Sequence, residues 1–255
     1  MAGEPGIAGG EGRGGGFPPT RLSVVRALGS REEAVRRPAF AALVEGYWRP
    51  AYKYLRVRWR LSAEEAEDLT QEFFTRVLEK RYFDRYDPER ARFRTYLRTC
   101  LDRFAANQRR SAGRLKRGGG TSILPLDFAA AEGEVARAGA GAAGRAGSDP
   151  ESYFHQEWRR ALFHDAVAEL RAVCAAAGRE VRFAVFERYD LEGGEGLTYA
   201  ALGEELGLPA TQVTNHLAWA RRELRRIVLE RLERLCGSEE ELAAEARDLL
   251  GADPR

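Results

Sequence analysis

The sequence has few cysteines and histidines and no long apolar run, so it has little from which to build a disulfide framework, a metal site or a membrane span. Its three cysteines lie far apart, with no CxxC pair and no neighbouring histidine. We therefore expect neither a disulfide framework nor a metal site, and the spacing favours a reducing compartment. No apolar run is long enough to cross a bilayer, and the Gly-rich start lacks the basic and apolar regions of a signal peptide. We expect a soluble, cytoplasmic protein without a cofactor.

Lysine is also scarce, because it occurs only at positions 53, 80 and 116, although lysine and arginine together number 41. Against 39 acidic residues the net charge is only +2. The whole molecule is therefore not a general polycation. A nucleic-acid surface would have to come from local segregation of charge.

Two stretches of low complexity divide the chain. The Gly-rich start predicts a disordered tail over residues 1–30. The small residues of 118–150 predict a flexible Gly/Ala-rich linker, with an Ala-rich helix over part of it as the alternative. The other segments have helical periodicity and no strand-like alternation. We thus predict an all-α fold of two small helical domains, 31–117 and 151–236, with a C-terminal helix and tail over 237–255.

The segment "DLTQEFFTRVLEK", residues 68–80, has the pattern of an amphipathic helix. Leu69, Phe73 and Val77 form an apolar stripe, and Ser62 and Glu65 have the spacing of a capping box just before it. The opposite face is polar and consists of Asp68, Gln71, Glu72, Thr75 and Arg76. From the residues alone, this face is either solvated or a docking surface.

The clearest motif is "LTYAALGEELGLPATQVTNHLAWARRELRRIV", residues 197–228. Thr198 can cap a short helix that ends at Leu206, Gly207 suits the left-handed exit, and Pro209 suits the next first turn. Two helices joined by such a turn are typical of a helix-turn-helix. Polar groups at the start of the second helix could read base edges, and the arginines further along could neutralise phosphates. The alternative is a helical hairpin with a solvated basic face.

A second basic segment covers residues 81–117. It holds twelve basic and four acidic residues, a local balance of +8. Aromatic residues lie between them, and Tyr82, Phe83 and Tyr86 fall in or near a loop. Cations that follow a backbone, with rings on which unpaired bases stack, are typical of single-strand binding. Core aromatics beside a solvated arginine face are the alternative.

These motifs together resemble a bacterial RNA polymerase sigma factor of the sigma-seventy family, in its small extracytoplasmic-function group. The resemblance covers about residues 36–236. "AEDLTQEFFTRVLEK" is similar to the polymerase-binding helix of the family, "FRTYLRTCLDRFAANQRR" to its minus-ten helix, and "LTYAALGEELGLPATQVTNHLAWARREL" to its minus-thirty-five helix-turn-helix. Their order around a linker is more specific than any one of them.

The resemblance implies a role for each polar surface. The contact with a coiled coil of the largest polymerase subunit would be made by Asp68, Gln71, Glu72 and Arg76. The minus-ten strand, once unwound, would be held by Phe83, Tyr86, Arg92, Arg94, Arg98, Arg103 and Asn107. Duplex DNA at minus thirty-five would be read by Gln212, Thr214, Asn215, His216, Trp219 and Arg222. Core polymerase and promoter DNA are the implied partners, with an anti-sigma factor as a further candidate.

Several positions depart from the family pattern. Arg103 and Asn107 stand where the minus-ten helix often has Asn and Asp, and Thr214–His216 replaces a common Lys-Ser-Arg run. The promoter sequence therefore does not carry over. The tail "GSEEELAAEARDLLG" exceeds the pattern, and we expect it to be a packing helix rather than a regulatory one.

An enzyme and a DNA-binding regulator are the two alternatives to a sigma factor. An enzyme is disfavoured because the acidic residues near position 68 lack a partner histidine, and "KRGGGTS" lacks the spacing of a phosphate-binding loop. A helix-turn-helix regulator that binds DNA without polymerase is the stronger rival. It leaves the basic, aromatic-bearing segment over 81–117 unexplained.

Overall fold

A computed structural model describes residues 24–79, 82–83, 85–112, 126–193 and 196–251. These residues contain ten α-helices and no strand, which confirms the all-α class. The helices are α1 (Val24–Leu28), α2 (Glu33–Arg58), α3 (Ala63–Glu79), α4 (Phe93–Ala112), α5 (Phe128–Ser148), α6 (Pro150–Ala176), α7 (Glu180–Phe186), α8 (Tyr199–Leu206), α9 (Ala210–Leu235) and α10 (Glu239–Leu250). A π-helical turn, Glu187–Leu191, continues α7. None of the helices described is long and apolar enough to span a membrane.

Helix α2 is the centre of the fold, and it stays helical through two internal prolines, Pro38 and Pro50. Pro50 removes one backbone donor, which costs about 3 kcal/mol in a helix interior. On both sides of it, apolar side chains such as Leu43, Tyr52 and Leu55 are fully buried. Each such side chain contributes about 1.5–3 kcal/mol. Packing therefore outweighs the cost of Pro50.

The partners of α2 come from both halves of the chain. Tyr47 stacks on Trp158 of α6, with ring centroids 6.2 Å apart. A Cβ atom at Gly46 would lie 2.6 Å from a methyl carbon of Leu235, so the missing side chain lets α9 approach closely. The buried Lys53 ammonium lies 3.0 Å from the Glu157 carboxylate of α6. The described residues thus share one hydrophobic core.

The predicted flexible linker needs a correction, because residues 128–148 form a packed helix. The Phe128 ring lies 5.4 Å from Trp48 and 5.1 Å from Tyr52. Arg49 donates to the Glu134 carboxylate at 2.8 Å, and Arg56 donates to that of Glu132. Residues 118–125 of the predicted linker lie outside the described residues.

The composition of α5 explains why a segment rich in glycine can still pack. Ala131, Ala142 and Ala146 point into the core and are buried, while the glycines lie on the exposed side. Small buried residues let two helices approach closely. The cost of the glycines shows at Gly139, where φ is 59° and ψ is −160°, so that the helix breaks there.

The predicted disordered tail also needs a correction at its end. Val24, Val25 and Leu28 of α1 are buried against the core, because three large apolar residues in five give this segment a face to bury. Residues 1–23 of that tail lie outside the described residues.

Candidate functional site

The polar face of α3 is the first candidate surface. The helix begins with the predicted capping box, since the Glu65 N–H donates to the Ser62 hydroxyl at 3.1 Å and the Ser62 N–H donates to the Glu65 carboxylate at 2.8 Å. Phe73, Phe74 and Val77 are buried. Leu69, which the predicted apolar stripe includes, is only half-buried, whereas Phe74 is buried in addition to Phe73 and Val77.

The outward residues of α3 divide into two sets. Asp68 is exposed and Gln71 is half-buried. Glu72 is paired with Arg76 at 2.6 Å and accepts a hydrogen bond from Gln108 of α4. The Arg76 guanidinium lies 5.4 Å from the Phe104 ring centroid. The half with Glu72 and Arg76 is therefore held against α4, and the half with Asp68 projects outward.

The loop before α4 forms an aromatic cluster. Phe83 is only 7% exposed, and its ring lies 5.1 Å from Phe93 and 6.2 Å from Tyr96. Tyr86 is half-buried beside the same rings, 5.2 Å from Phe93. In this arrangement Phe83 belongs to the core and offers no ring face to a base.

The C-terminal helix α10 reaches this cluster. The Tyr86 hydroxyl donates to the Glu241 carboxylate at 3.1 Å. Burial and the Glu241 charge raise the pKa of Tyr86 well above its ordinary value. The same carboxylate accepts from the backbone N–H of Phe93, the first residue of α4, at 2.6 Å. A negative charge at that position is favourable, because the first N–H groups of a helix point outward without partners.

Arg92 and Arg94 meet the other acids of α10. The Arg92 guanidinium lies 2.6 Å from the Asp248 carboxylate and 3.3 Å from that of Glu245. The hydrogen bond that Arg92 donates, together with its charge, lowers the pKa of Asp248. Arg94 is buried, forms an ion pair with Glu245 and lies 5.4 Å from the Trp158 ring centroid. Burial lowers the pKa of Arg94.

The rest of the predicted minus-ten surface lies further along α4. Arg98 donates to Asp102 at 2.7 Å and to Glu151 of α6 at 3.1 Å. Arg103 and Asn107 are exposed, and Asn107 accepts a hydrogen bond from Arg110 at 2.7 Å. The seven predicted residues therefore do not form one open surface.

The third candidate surface is on α8 and α9. The Ala201 N–H donates to the Thr198 hydroxyl at 3.1 Å, α8 ends at Leu206, and Gly207 has a φ of 67°. These boundaries are the ones that the sequence predicts. A Cβ atom at Gly203 would lie 2.5 Å from the Leu208 carbonyl oxygen, so the turn between the helices is tight.

The residues of this surface are mostly accessible. Gln212, Thr214, Asn215 and Arg222 are exposed. His216 and Trp219 are half-buried, and Arg182 lies 4.7 Å from the Trp219 ring centroid. Burial and the Arg182 charge lower the pKa of His216, which favours its neutral form.

Two arginines proposed for phosphates are engaged within the chain. Arg221 donates to both oxygens of Asp190, at 2.9 Å and 2.7 Å. Arg226 is paired with Glu223 and Glu230. Of Arg221, Arg222 and Arg226, Arg222 is the one that faces solvent without an ion pair in the described residues.

One basic cleft was missed by sequence reasoning. It has a volume of about 590 Å³ and is lined by Arg58, Trp59, Arg60 and Arg109. The alternation of arginine with large side chains in "RVRWR" is a signal that could have indicated its α2 side. The contribution of Arg109 could not be read from the sequence, since it depends on how α4 packs beside α2.

Comparison with known families gave a match over the part of the chain that carries two of these surfaces. Residues 43–115 match the family model described as Sigma-70 region 2. The match begins within α2 and includes α3, the aromatic loop and the described part of α4. Comparison with curated proteins gave no match, and neither did comparison with solved structures. The region 2 match supports a sigma factor of the sigma-70 family and a role in transcription initiation.

Proposed function

We propose that this protein is a sigma factor of the extracytoplasmic-function group, which binds core RNA polymerase and directs promoter recognition and DNA melting. The observation that carries the proposal is the region 2 match over residues 43–115. It covers both the polar face of α3 and the basic helix α4, which a simple DNA-binding regulator would not need.

The polymerase contact is proposed for α3. A docking face should be exposed, polar and rigidly presented. Asp68 and Gln71 are accessible on a helix that the capping box and three buried side chains hold in place. Arg76 and Glu72 border this face while they are held by α4.

Strand capture is proposed for α4 and the loop before it. Arg103 and Asn107 are already exposed for the non-template strand. Tyr86, Arg92 and Arg94 would join them once α10 has moved, and Arg98 once it has left Glu151. Binding energy for unstacked bases then offsets an unpairing cost of a few kcal/mol per flipped base.

Duplex recognition is proposed for α8 and α9 as a helix-turn-helix. The amide and hydroxyl groups of Gln212, Thr214 and Asn215 lie at the exposed N-terminal end of the longer helix. This is the end that contacts base edges when such a helix enters the major groove. Arg222, two turns further on, would contact a phosphate.

We propose that the protein acts in the cytoplasm, with core polymerase and promoter DNA as its partners and an anti-sigma factor as a candidate inhibitor. We propose no enzymatic activity, because sigma factors, the class that the region 2 match supports, are in general not enzymes.

The test is transcription in vitro with purified core polymerase on genomic templates. We expect discrete start sites that depend on the added protein, together with co-elution of the protein and core polymerase on a sizing column. If the isolated protein binds specific duplex sites tightly while no complex with core forms and no start site appears, the regulator function replaces the sigma function.

A further inference from the structure

Three acidic side chains of α10 occupy the N-terminal end of α4. Glu241 is 8% exposed and accepts hydrogen bonds from the Phe93 N–H and the Tyr86 hydroxyl. Glu245 is 1% exposed and lies against both Arg92 and Arg94. Asp248 completes the set with its contact to Arg92.

The groups that these carboxylates satisfy are those that bind phosphate. An outward N–H at a helix N-terminus favours anions, and arginine pairs with carboxylate and phosphate by the same geometry. Tyr86, Arg92 and Arg94 are also three of the residues proposed for the minus-ten strand. The carboxylates of α10 thus stand where the phosphates of that strand would bind.

We propose that α10 is a built-in competitor of the non-template strand, which shields this end of α4 until the helix is displaced. The inference rests on the proposed function and names the regulation of the same site. Only Cys236, Gly237 and Ser238 join α10 to α9, so the helix can be displaced by rotation at this short connection.

The packing at that connection holds α10 in its closed position, in which it covers the N-terminal end of α4. Gly237 is buried, and a Cβ atom there would lie 2.6 Å from the Tyr86 ring. The Gly237 N–H also donates to the Glu241 carboxylate at 2.7 Å. A larger residue at this position would therefore weaken the closed position without any change in charge.

The experiment measures how tightly the full chain, without polymerase, binds a fluorescein-labelled thymidine homopolymer at low ionic strength. The test variant is Glu245→Gln with Asp248→Asn, which removes two charges from the face that meets α4. We expect binding about five- to tenfold tighter than that of the wild type, in the range of typical coupling between sites. Circular dichroism checks that both proteins are equally helical.

The matched control is Glu239→Gln with Glu240→Gln. Both residues are exposed at the start of α10, so this variant has the same net charge as the test variant. We expect its affinity to stay within about twofold of the wild type. Equal tightening by both variants, or none by the test variant, would overturn the proposal.

Gly237→Ala provides a second variant in which no charge changes. Tighter oligonucleotide binding by Gly237→Ala supports displacement of the helix, and unchanged binding by both Gly237→Ala and the test variant contradicts it.

Transcription assays with core polymerase separate this inference from the proposed function. If the wild type supports transcription while the test variant binds the oligonucleotide no more tightly, shielding is wrong and the sigma function stands. If neither protein binds core but the test variant binds the oligonucleotide more tightly, shielding stands and the sigma function is wrong.

Discussion

At the scale of single residues, the accessible acid on α3 is the most specific feature of the proposed polymerase contact. Asp68 projects from a capped helix, whereas its neighbours Glu72 and Arg76 are paired with each other. A charge reversal at Asp68 therefore changes the docking face without breaking an ion pair that the structure uses.

We expect Asp68→Arg combined with Gln71→Ala to weaken binding to core polymerase at least about 30-fold, because a like charge across an interface costs several kcal/mol. Helicity should not change. Binding is measured by fluorescence anisotropy with labelled protein. The control is Glu233→Arg with Gln156→Ala, which makes the same change in net charge at exposed positions on other helices. Equal affinities for the two variants would move the contact elsewhere.

His155 is a second residue whose surroundings have a measurable consequence, which is a dependence of stability on pH. It is half-buried on α6, and burial together with the charges of Arg94, Arg159 and Arg92 lowers its pKa to about 4. The unfolded chain takes up this proton near pH 6.5, whereas the folded chain stays neutral until about pH 4. The free energy of unfolding should therefore fall as the pH drops through this window.

We expect the wild type to lose more stability between about pH 7 and about pH 5 than His155→Phe, by up to about 1.4 kcal/mol per pH unit. Urea unfolding at the two pH values measures the difference. Parallel losses in both proteins would show that His155 does not titrate abnormally.

At the scale of helices, α5 shows where sequence reasoning reached its limit. The capping box of α3 and the cap and turn around α8 were predictable, because such signals involve residues close in sequence. The helix over 128–148 was only an alternative from the sequence, because its packing depends on partners far away in sequence. Arg49 and Arg56 pair with its acids, and Trp48 packs on Phe128. The engagement of Arg92 by α10 was unpredictable for the same reason.

Two glycines of α5 give opposite predictions for the stability of the helix. Gly144 is helical and exposed with open space around it, so Gly144→Ala should raise the free energy of unfolding by about 0.5–1 kcal/mol. Gly139 has a positive φ, so Gly139→Ala should lower it by about 1 kcal/mol. Urea unfolding measures both. A flexible linker would show neither effect.

At the scale of the whole molecule, one core joins the two halves of the chain through α2. The buried ion pair of Lys53 and Glu157 ties α2 to α6, and Lys53 also contacts Glu134 of α5. Breaking this ion pair should therefore destabilise the whole fold and not only one helix.

We expect Lys53→Met to lower the free energy of unfolding by about 3 kcal/mol, because among the described residues buried Glu157 would keep only the exposed Arg160 as an ion-pair partner. Adding Glu157→Gln should restore part of the loss. Urea unfolding, monitored in a single transition by tryptophan fluorescence and by circular dichroism, measures the stability of both variants. A loss below about 1 kcal/mol would show that the two halves do not depend on this pair.

The closed arrangement also defines what must change when the protein acts. The α3 face is accessible as it stands, whereas part of the α4 surface is covered by α10. Under the proposed function, docking on polymerase would precede strand capture, which would need α10 to leave the N-terminal end of α4.

The most direct measurement is a cryo-electron microscopy structure of the protein with core polymerase and promoter DNA. The proposed sigma function predicts that Asp68 and Gln71 contact the polymerase, and that the unwound strand lies along α4. A complex in which the α3 face points to solvent, with polymerase docked elsewhere or absent, would contradict it.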